Sequence, residues 1–155
     1  MTSRLRQEIK QKQPFESPEQ LAYLNVQRTA SVLGRGLSEV LRRSGVTRTQ
    51  YNALRILRGA DGPLTCSEVG ERMIARDPDV TRLLDRLEEK ELVRRERSTE
   101  DRRVVVSEIT EAGRELVDDL DEPVARVHEK QLGHLSEEKL GTLAALLEEA
   151  REGSA

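Results

Sequence analysis

Aromatic residues are nearly absent from this chain: it has two tyrosines, one phenylalanine and no tryptophan. So small a supply argues against a packed β-sandwich and favours long exposed helices. Cysteine is scarcer still, and Cys66 alone can form neither an internal disulfide nor a Cys-only zinc site. The two histidines, His128 and His134, sit on a polar stretch that does not resemble a metal cage, so no metal and no cofactor are expected. No run approaches the roughly 18 apolar residues that a membrane span requires. Residues 1–13 are polar, without the apolar core of a signal peptide, and the expectation is a soluble, cytoplasmic protein with no membrane partner. Catalytic groupings are also lacking. There is no Ser/His/Asp or Cys/His constellation, no phosphate-cradling glycine loop and no carboxylate pair on a rigid frame, so an enzyme is not expected.

Charge is abundant. Charged residues make up 35% of the 155, hydrophobic ones another 35%, and the net charge is −3. Taken alone, an acidic total argues mildly against a nucleic-acid binder. The distribution is more informative. Residues 1–65 hold 11 Lys/Arg against 5 Asp/Glu, residues 66–110 hold 10 against 12, and residues 111–155 hold 5 against 12. The last third would repel phosphate, whereas the stretch 92–107 is locally basic through Arg94, Arg95, Arg97, Arg102 and Arg103.

Helix start signals set the phase of the chain. Residues 1–16 alternate basic residues with glutamine and read as a flexible basic arm. Ser17-Pro18-Glu19-Gln20 reads as a cap, a first-turn proline and a capping-box glutamine, opening a long helix that Gly45 ends. Thr47-Arg48-Thr49-Gln50 opens a second helix with Tyr51, Leu54 and Leu57 inward, and Thr65-Cys66-Ser67-Glu68 a third with Val69 and Met73 inward. Asp77-Pro78 reads as the fourth start, for a helix reaching about Lys90. Val80, Leu83, Leu84 and Leu87 form its apolar stripe, leaving Arg76, Asp79, Thr81, Arg82, Asp85 and Arg86 to solvent or a ligand.

From Leu92 the period changes. Leu92-Val93 and Val104-Val105-Val106 flank a polar tip at 98–101, the pattern of a β-hairpin. Thr110 then opens another helix, with Leu116, Leu120, Val124 and Val127 at steps of three and four and a bend expected at Pro123. Ser136 caps a last helix whose Leu140, Leu143, Leu146 and Leu147 face one way. A helix-turn-helix followed by a hairpin is a winged helix, placed at 46–110. The fold class is mainly α with a small β-hairpin wing. Apolar stripes at both ends exceed what the central module can cover, so residues 17–45 and 111–152 are expected to form a helical dimerisation region.

This ordered set of fragments resembles the MarR (multiple antibiotic resistance regulator) family over about residues 20–150: Thr81-Arg82-Leu83-Leu84-Asp85-Arg86-Leu87-Glu88, Leu92-Val93-Arg94-Arg95, Asp101-Arg102-Arg103 and Ile109-Thr110-Glu111-Ala112-Gly113. The resemblance implies a homodimeric transcription regulator with interlocked terminal helices, acting on a pseudo-palindromic operator in double-stranded DNA. It further implies a repressor released by a small-molecule effector, bound between the dimer helices and the winged helix. Two positions depart from the family pattern: Glu91 stands where a glycine usually ends the recognition helix, and Glu108 interrupts the apolar run before Ile109.

By that pattern the helix after Pro78 enters the major groove, where Arg82 and Arg86 reach guanine edges or phosphates, with Arg76 and Thr81 beside them. The bland alternative pairs Arg82 with Asp79 or Asp85 on an ordinary solvated helix. The resemblance makes Arg103 the residue inserted into the minor groove and Asp101 the carboxylate that orients it, with Arg102 adjacent. A plain hairpin salt bridge is the competing account. Arg97, like Arg94 and Arg95, either holds phosphates or supports the wing. Cys66 lies at a helix start, where a thiol can be reactive, but a buried inert thiol in the helix-turn-helix core is the simpler reading. Against all of this stands a helical protein–protein interaction module that does not bind DNA, which the acidic total favours.

Overall fold

The computed structural model describes residues 3–153, which divide into two compact units, one up to Gly36 and the other from Leu37 on. In the first unit, the arm expected to be flexible contains a short helix, α1 (Arg4–Glu8), with Leu5 buried. Glu8 bridges Arg4 at 3.3 Å and Arg28 at 3.5 Å, which gives the basic arm a local acidic anchor. The long helix α2 (Pro18–Arg43) begins at the expected proline. Ser17 Oγ accepts the Gln20 N–H at 3.2 Å, while the Gln20 side chain reaches back to the N–H of Glu16 rather than that of the cap itself.

The second unit holds α3 (Arg48–Arg58), β1 (Leu64–Thr65), α4 (Cys66–Arg72), α5 (Val80–Glu89), β2 (Val93–Arg97), β3 (Val105–Ile109), α6 (Glu111–Leu132) and α7 (Glu137–Glu152). The strands form an antiparallel sheet in the order β1-β3-β2, with Val93 opposite Ile109, Arg95 opposite Ser107, and Leu64 also opposite Ser107. The third strand, β1, goes beyond the two-stranded hairpin expected. It is two residues long, too short to show alternation, and its Thr65 doubles as the cap of α4. The core joins Leu41, Leu54, Leu57, Val69, Leu84, Leu87, Val93 and Val117. Burying each aliphatic side chain is worth about 1.5–3 kcal/mol.

Caps decide where these helices begin. Thr47 and Thr65 both form complete capping boxes, with Gln50 and Glu68 respectively. At the fourth start the expectation is corrected: the cap of α5 is Asp79, whose carboxylate accepts the Arg82 N–H at 3.0 Å. Asp77 instead accepts the N–H of Asp79 at 2.8 Å, an Asx turn that places Pro78 before the helix rather than in its first turn.

The end of α5 explains the Glu91 departure. Glu91 has φ +59, and the N–H groups of Glu91 and Leu92 donate to the carbonyls of Glu88 (2.8 Å) and Leu87 (3.0 Å). This is a Schellman closure built without glycine, held by buried Leu92 and by the Thr110 hydroxyl donating to the Glu91 carbonyl at 2.7 Å. Thr110 Oγ1 also accepts the Gly113 N–H at 3.1 Å, so one hydroxyl joins the end of α5 to the start of α6. Gly113 is required here by close approach: a Cβ at this position would lie 2.2 Å from the Leu92 carbonyl oxygen.

Candidate nucleic-acid interface

Helix α5 buries Leu83, Leu84 and Leu87 and leaves Thr81, Arg82 and Arg86 exposed. A groove of about 350 Å³ runs between its start and the first turn of α3, lined by Thr47, Thr49, Asp77, Asp79, Arg82 and Arg86. The carboxylates near these arginines are already engaged. Asp79 is spent on the helix cap, and Asp85 pairs with Arg95 of β2. Among the described residues no ion pair engages Arg76, Arg82, Arg86, Arg102 or Arg103. The pairing of Arg82 with Asp79 or Asp85 therefore does not form. Arg76 is exposed but lies in the link before α5, not on the helix.

The wing is the hairpin β2–β3 with a loop at 98–104. Within the loop, the Val104 N–H donates to the Asp101 carbonyl at 3.0 Å, which puts Arg102 and Arg103 at the exposed centre of a turn. The Asp101 carboxylate accepts the backbone N–H of Arg103 at 2.9 Å, so it shapes the turn rather than holding the guanidinium. Arg97 also braces the tip, its Nη1 donating to the Arg102 carbonyl at 2.7 Å. Arg94 pairs with Glu108 across the ladder at 3.0 Å, which gives that departure from the family's apolar run a cross-strand partner.

Arg95 supports the wing instead of facing outward. Its side chain is 11% exposed, its Nη1 pairs with Asp85, and its Nη2 lies 3.4 Å from Cys66 Sγ. Its backbone N–H donates to Glu88 Oε1 at 2.9 Å. These contacts clamp the wing's first strand to the outer flank of α5. The sequence carried a signal for this, because alternation from buried Val93 puts Arg95 on the same face, opposite buried Ser107. Cys66 is half-buried at the first position of α4, not sealed in the core, with Thr81 Oγ1 3.8 Å from its sulfur.

Behind the groove, Arg58 of α3 reaches Asp118 (2.7 Å) and Asp121 (2.8 Å) of α6. The hydrogen bond to Arg58 holds the Asp121 carboxyl below its usual range, and the same contact raises the guanidinium. A cavity of about 290 Å³, mainly apolar, lies nearby, with Leu37, Tyr51, Arg55, Met73, Val124 and His128 in its lining. Burial pushes the Tyr51 phenol up, and the Arg55 guanidinium stands 6.0 Å from its ring centroid. Among the described residues no helix is long and apolar enough to cross a membrane, and no group of three or more His, Cys, Asp or Glu is placed to hold a metal ion.

A three-helix module (α3, α4, α5) with a capped, arginine-bearing third helix and an antiparallel wing defines a winged helix-turn-helix DNA-binding protein. Residues 46–105 match the MarR family. The chain is 30% identical over 112 residues to the HTH-type transcriptional regulator MhqR of Bacillus subtilis, spanning 72% of this chain and 76% of that protein. It is similar to the crystal structure of a MarR transcription factor from Planctomyces limnophilus, at 40% identity and a TM-score of 0.67, over 87% of this chain and 98% of that one. It is also similar to a MarR mutant from E. coli complexed with operator DNA, at 26% identity and a TM-score of 0.76, over 84% and 92% of the two chains. The chain belongs to the MarR family, a family of transcription regulators and not of enzymes.

Proposed function

We propose that this regulator acts in the cytoplasm as a homodimer on a pseudo-palindromic operator, with α5 in the major groove and the wing tip in the minor groove. The observation that carries this reading is the sorting of arginines. Arg94 and Arg95 are paired with carboxylates, whereas Arg82, Arg86, Arg102 and Arg103 are exposed with none. An overall acidic protein can bind DNA when its unpaired cations are gathered on one surface. Arg76 and Thr81 flank that surface, and Arg97 and Asp101 contribute by fixing the turn that presents Arg102 and Arg103.

Dimerisation through residues 17–45 and 111–152 is supported by apolar side chains that the single chain leaves open. Tyr23, Val26 and Val32 of α2 are exposed, as are Leu143 and Leu146 of α7, and no residue of α7 is buried. Repression relieved by a small effector fits the cavity beside Tyr51 and Arg55, which is lined by the end of α2, by α3, by the residues that follow α4 and by α6. Selection from a pool of random duplexes, with the mass of the bound species measured by light scattering, tests the reading. The expected result is a two-fold symmetric site with half-sites about one helical turn apart, bound by two chains. Recovery of no preferred duplex, or of a bound monomer, would overturn it.

A further inference from the structure

We infer that Arg95 is a specificity-determining residue that fixes the interval between the bases met by α5 and the minor-groove segment met by the wing tip; this rests on the DNA-binding reading above. A protein that reads two grooves at once must hold its two reading elements at a set distance, and in this chain one side chain spans them. Arg95 of β2 is largely buried and meets α5 at Asp85, which stands three residues after Arg82 and one before Arg86. Its backbone N–H donates to Glu88 Oε1, one turn further along the same helix, at 2.9 Å. Its Nη2 donates to Cys66 Sγ at 3.4 Å, and the Thr81 hydroxyl, in the first turn of α5, donates to the same sulfur at 3.8 Å. The thiol at the start of α4 is thus a third anchor, an acceptor shared by the wing and the reading helix.

Paired backbone carries this clamp outward to the tip. Arg97 lies two residues beyond Arg95 on β2, about 7 Å along the strand, and the ladder keeps its register there, with Arg97 opposite Val105. The Ser98 N–H then donates to the Val104 carbonyl at 2.8 Å, and Arg97 Nη1 donates to the Arg102 carbonyl at 2.7 Å. A continuous series of hydrogen bonds therefore joins the helix that bears Arg82 and Arg86 to the turn that bears Arg102 and Arg103.

Stability alone does not call for an arginine at this place. Among the described residues Arg95 Nε is buried without an acceptor, and the hydroxyl of Ser107, directly opposite on β3, is buried without a partner. Unsatisfied polar groups cost free energy when buried, and an apolar side chain of similar volume serves stability as well or better. What an apolar side chain lacks is direction. A planar guanidinium shared between Asp85 and Cys66 fixes where the hairpin stands against α5, a constraint that apolar contact does not supply.

The test uses a duplex selected by wild type and derivatives with one base pair inserted or removed, in both half-sites, between the α5 contacts and the narrow-groove segment outside them. The separation of the two α5 sites is unchanged in these derivatives. Wild type is expected to bind them roughly ten- to hundredfold more weakly than the selected duplex, the range of one lost base contact. In Arg95→Met, which keeps a long side chain and removes its donors, that penalty should fall by roughly tenfold, because the wing can then follow the displaced segment. Asp85→Asn, at a half-exposed position that the fold does not depend on, weakens the clamp from the α5 end and should move the penalty the same way. Arg94→Met removes the same charge from the neighbouring position, whose partners Glu96 and Glu108 belong to the hairpin itself, and should keep the wild-type penalty. Melting curves establish that each variant is folded before titration. A penalty unchanged in both Arg95→Met and Asp85→Asn would overturn the inference while leaving the groove reading intact. An equal fall in Arg94→Met would also overturn it, since loss of charge rather than of the clamp would then be the cause. Failure of wild type to retain any duplex would instead remove the DNA-binding reading itself.

Discussion

Two glycine-to-alanine substitutions in this chain should have opposite signs, and the contrast tests how the wing is joined to α6. In an exposed helix interior alanine is favoured over glycine by about 1 kcal/mol. Gly141, inside α7, has nothing within 4 Å of an added Cβ, so Gly141→Ala should stabilise by about 0.5–1 kcal/mol. At Gly113 the added carbon would meet the Leu92 carbonyl oxygen at 2.2 Å, Ile109 Cγ1 at 2.8 Å and the Leu92 carbonyl carbon at 3.1 Å. Ordinary contact begins near 3.4 Å, so the first turn of α6 must withdraw by about 1 Å from the Schellman corner. That displacement stretches the Thr110 N–H bond to Leu92 O (3.1 Å) and the Thr110 hydroxyl bond to Glu91 O. Overpacking of about 1–3 kcal/mol plus a weakened bond of about 1 kcal/mol exceeds the propensity gain of about 1 kcal/mol, for a net loss of about 1–3 kcal/mol. Thermal unfolding should show the midpoint of Gly113→Ala lowered by about 2–12 °C and that of Gly141→Ala raised by about 1–4 °C. A Gly113→Ala protein as stable as wild type would refute the claim that this glycine is required by close approach.

Other outcomes follow from the remaining contacts. Leu143→Asp should raise the dimer dissociation constant at least tenfold in sedimentation or light scattering, since burying an unpaired carboxylate costs several kcal/mol. Asp121 has a folded pKa below its unfolded value, so the Arg58 contact contributes stability above about pH 4 that fades as pH falls through the folded value. Urea midpoints of wild type and Arg58→Ala should accordingly differ at pH 6 and converge toward pH 2. Arg95→Ala should lower stability by about 1 kcal/mol by removing the side-chain hydrogen bond to Asp85 that clamps β2 to α5, read as a lower denaturation midpoint.

Much of this architecture is legible in the sequence because short polar signals fix it locally. Thr47, Thr65, Thr110 and Ser136 each start a helix where their spacing says, since a cap needs only one side-chain oxygen and a nearby N–H. The start of α5 lies two residues beyond the expected one because two aspartates compete within three positions, and only the folded chain reveals which of them accepts the Arg82 N–H. The short strand β1 is invisible in the sequence because its partner is more than forty residues away, and pairing at that separation leaves no local period. The arginines are visible as a group but not as individuals. Sequence shows that Arg94, Arg95, Arg97, Arg102 and Arg103 are clustered, whereas their division into clamp, ladder pair, brace and free tip depends on the β2–β3 register and on where α5 lies.

The most direct test of the central claim is quantitative binding of Arg82→Ala, Arg86→Ala and Arg103→Ala to a duplex selected by wild type and to single-base variants of it. If α5 reads the major groove, Arg82→Ala and Arg86→Ala should each lose about 1–3 kcal/mol on the selected duplex and discriminate less among its variants. Arg103→Ala should lose affinity in proportion to minor-groove narrowness at the half-site edges. Wild-type affinity and discrimination in all three variants would contradict the account.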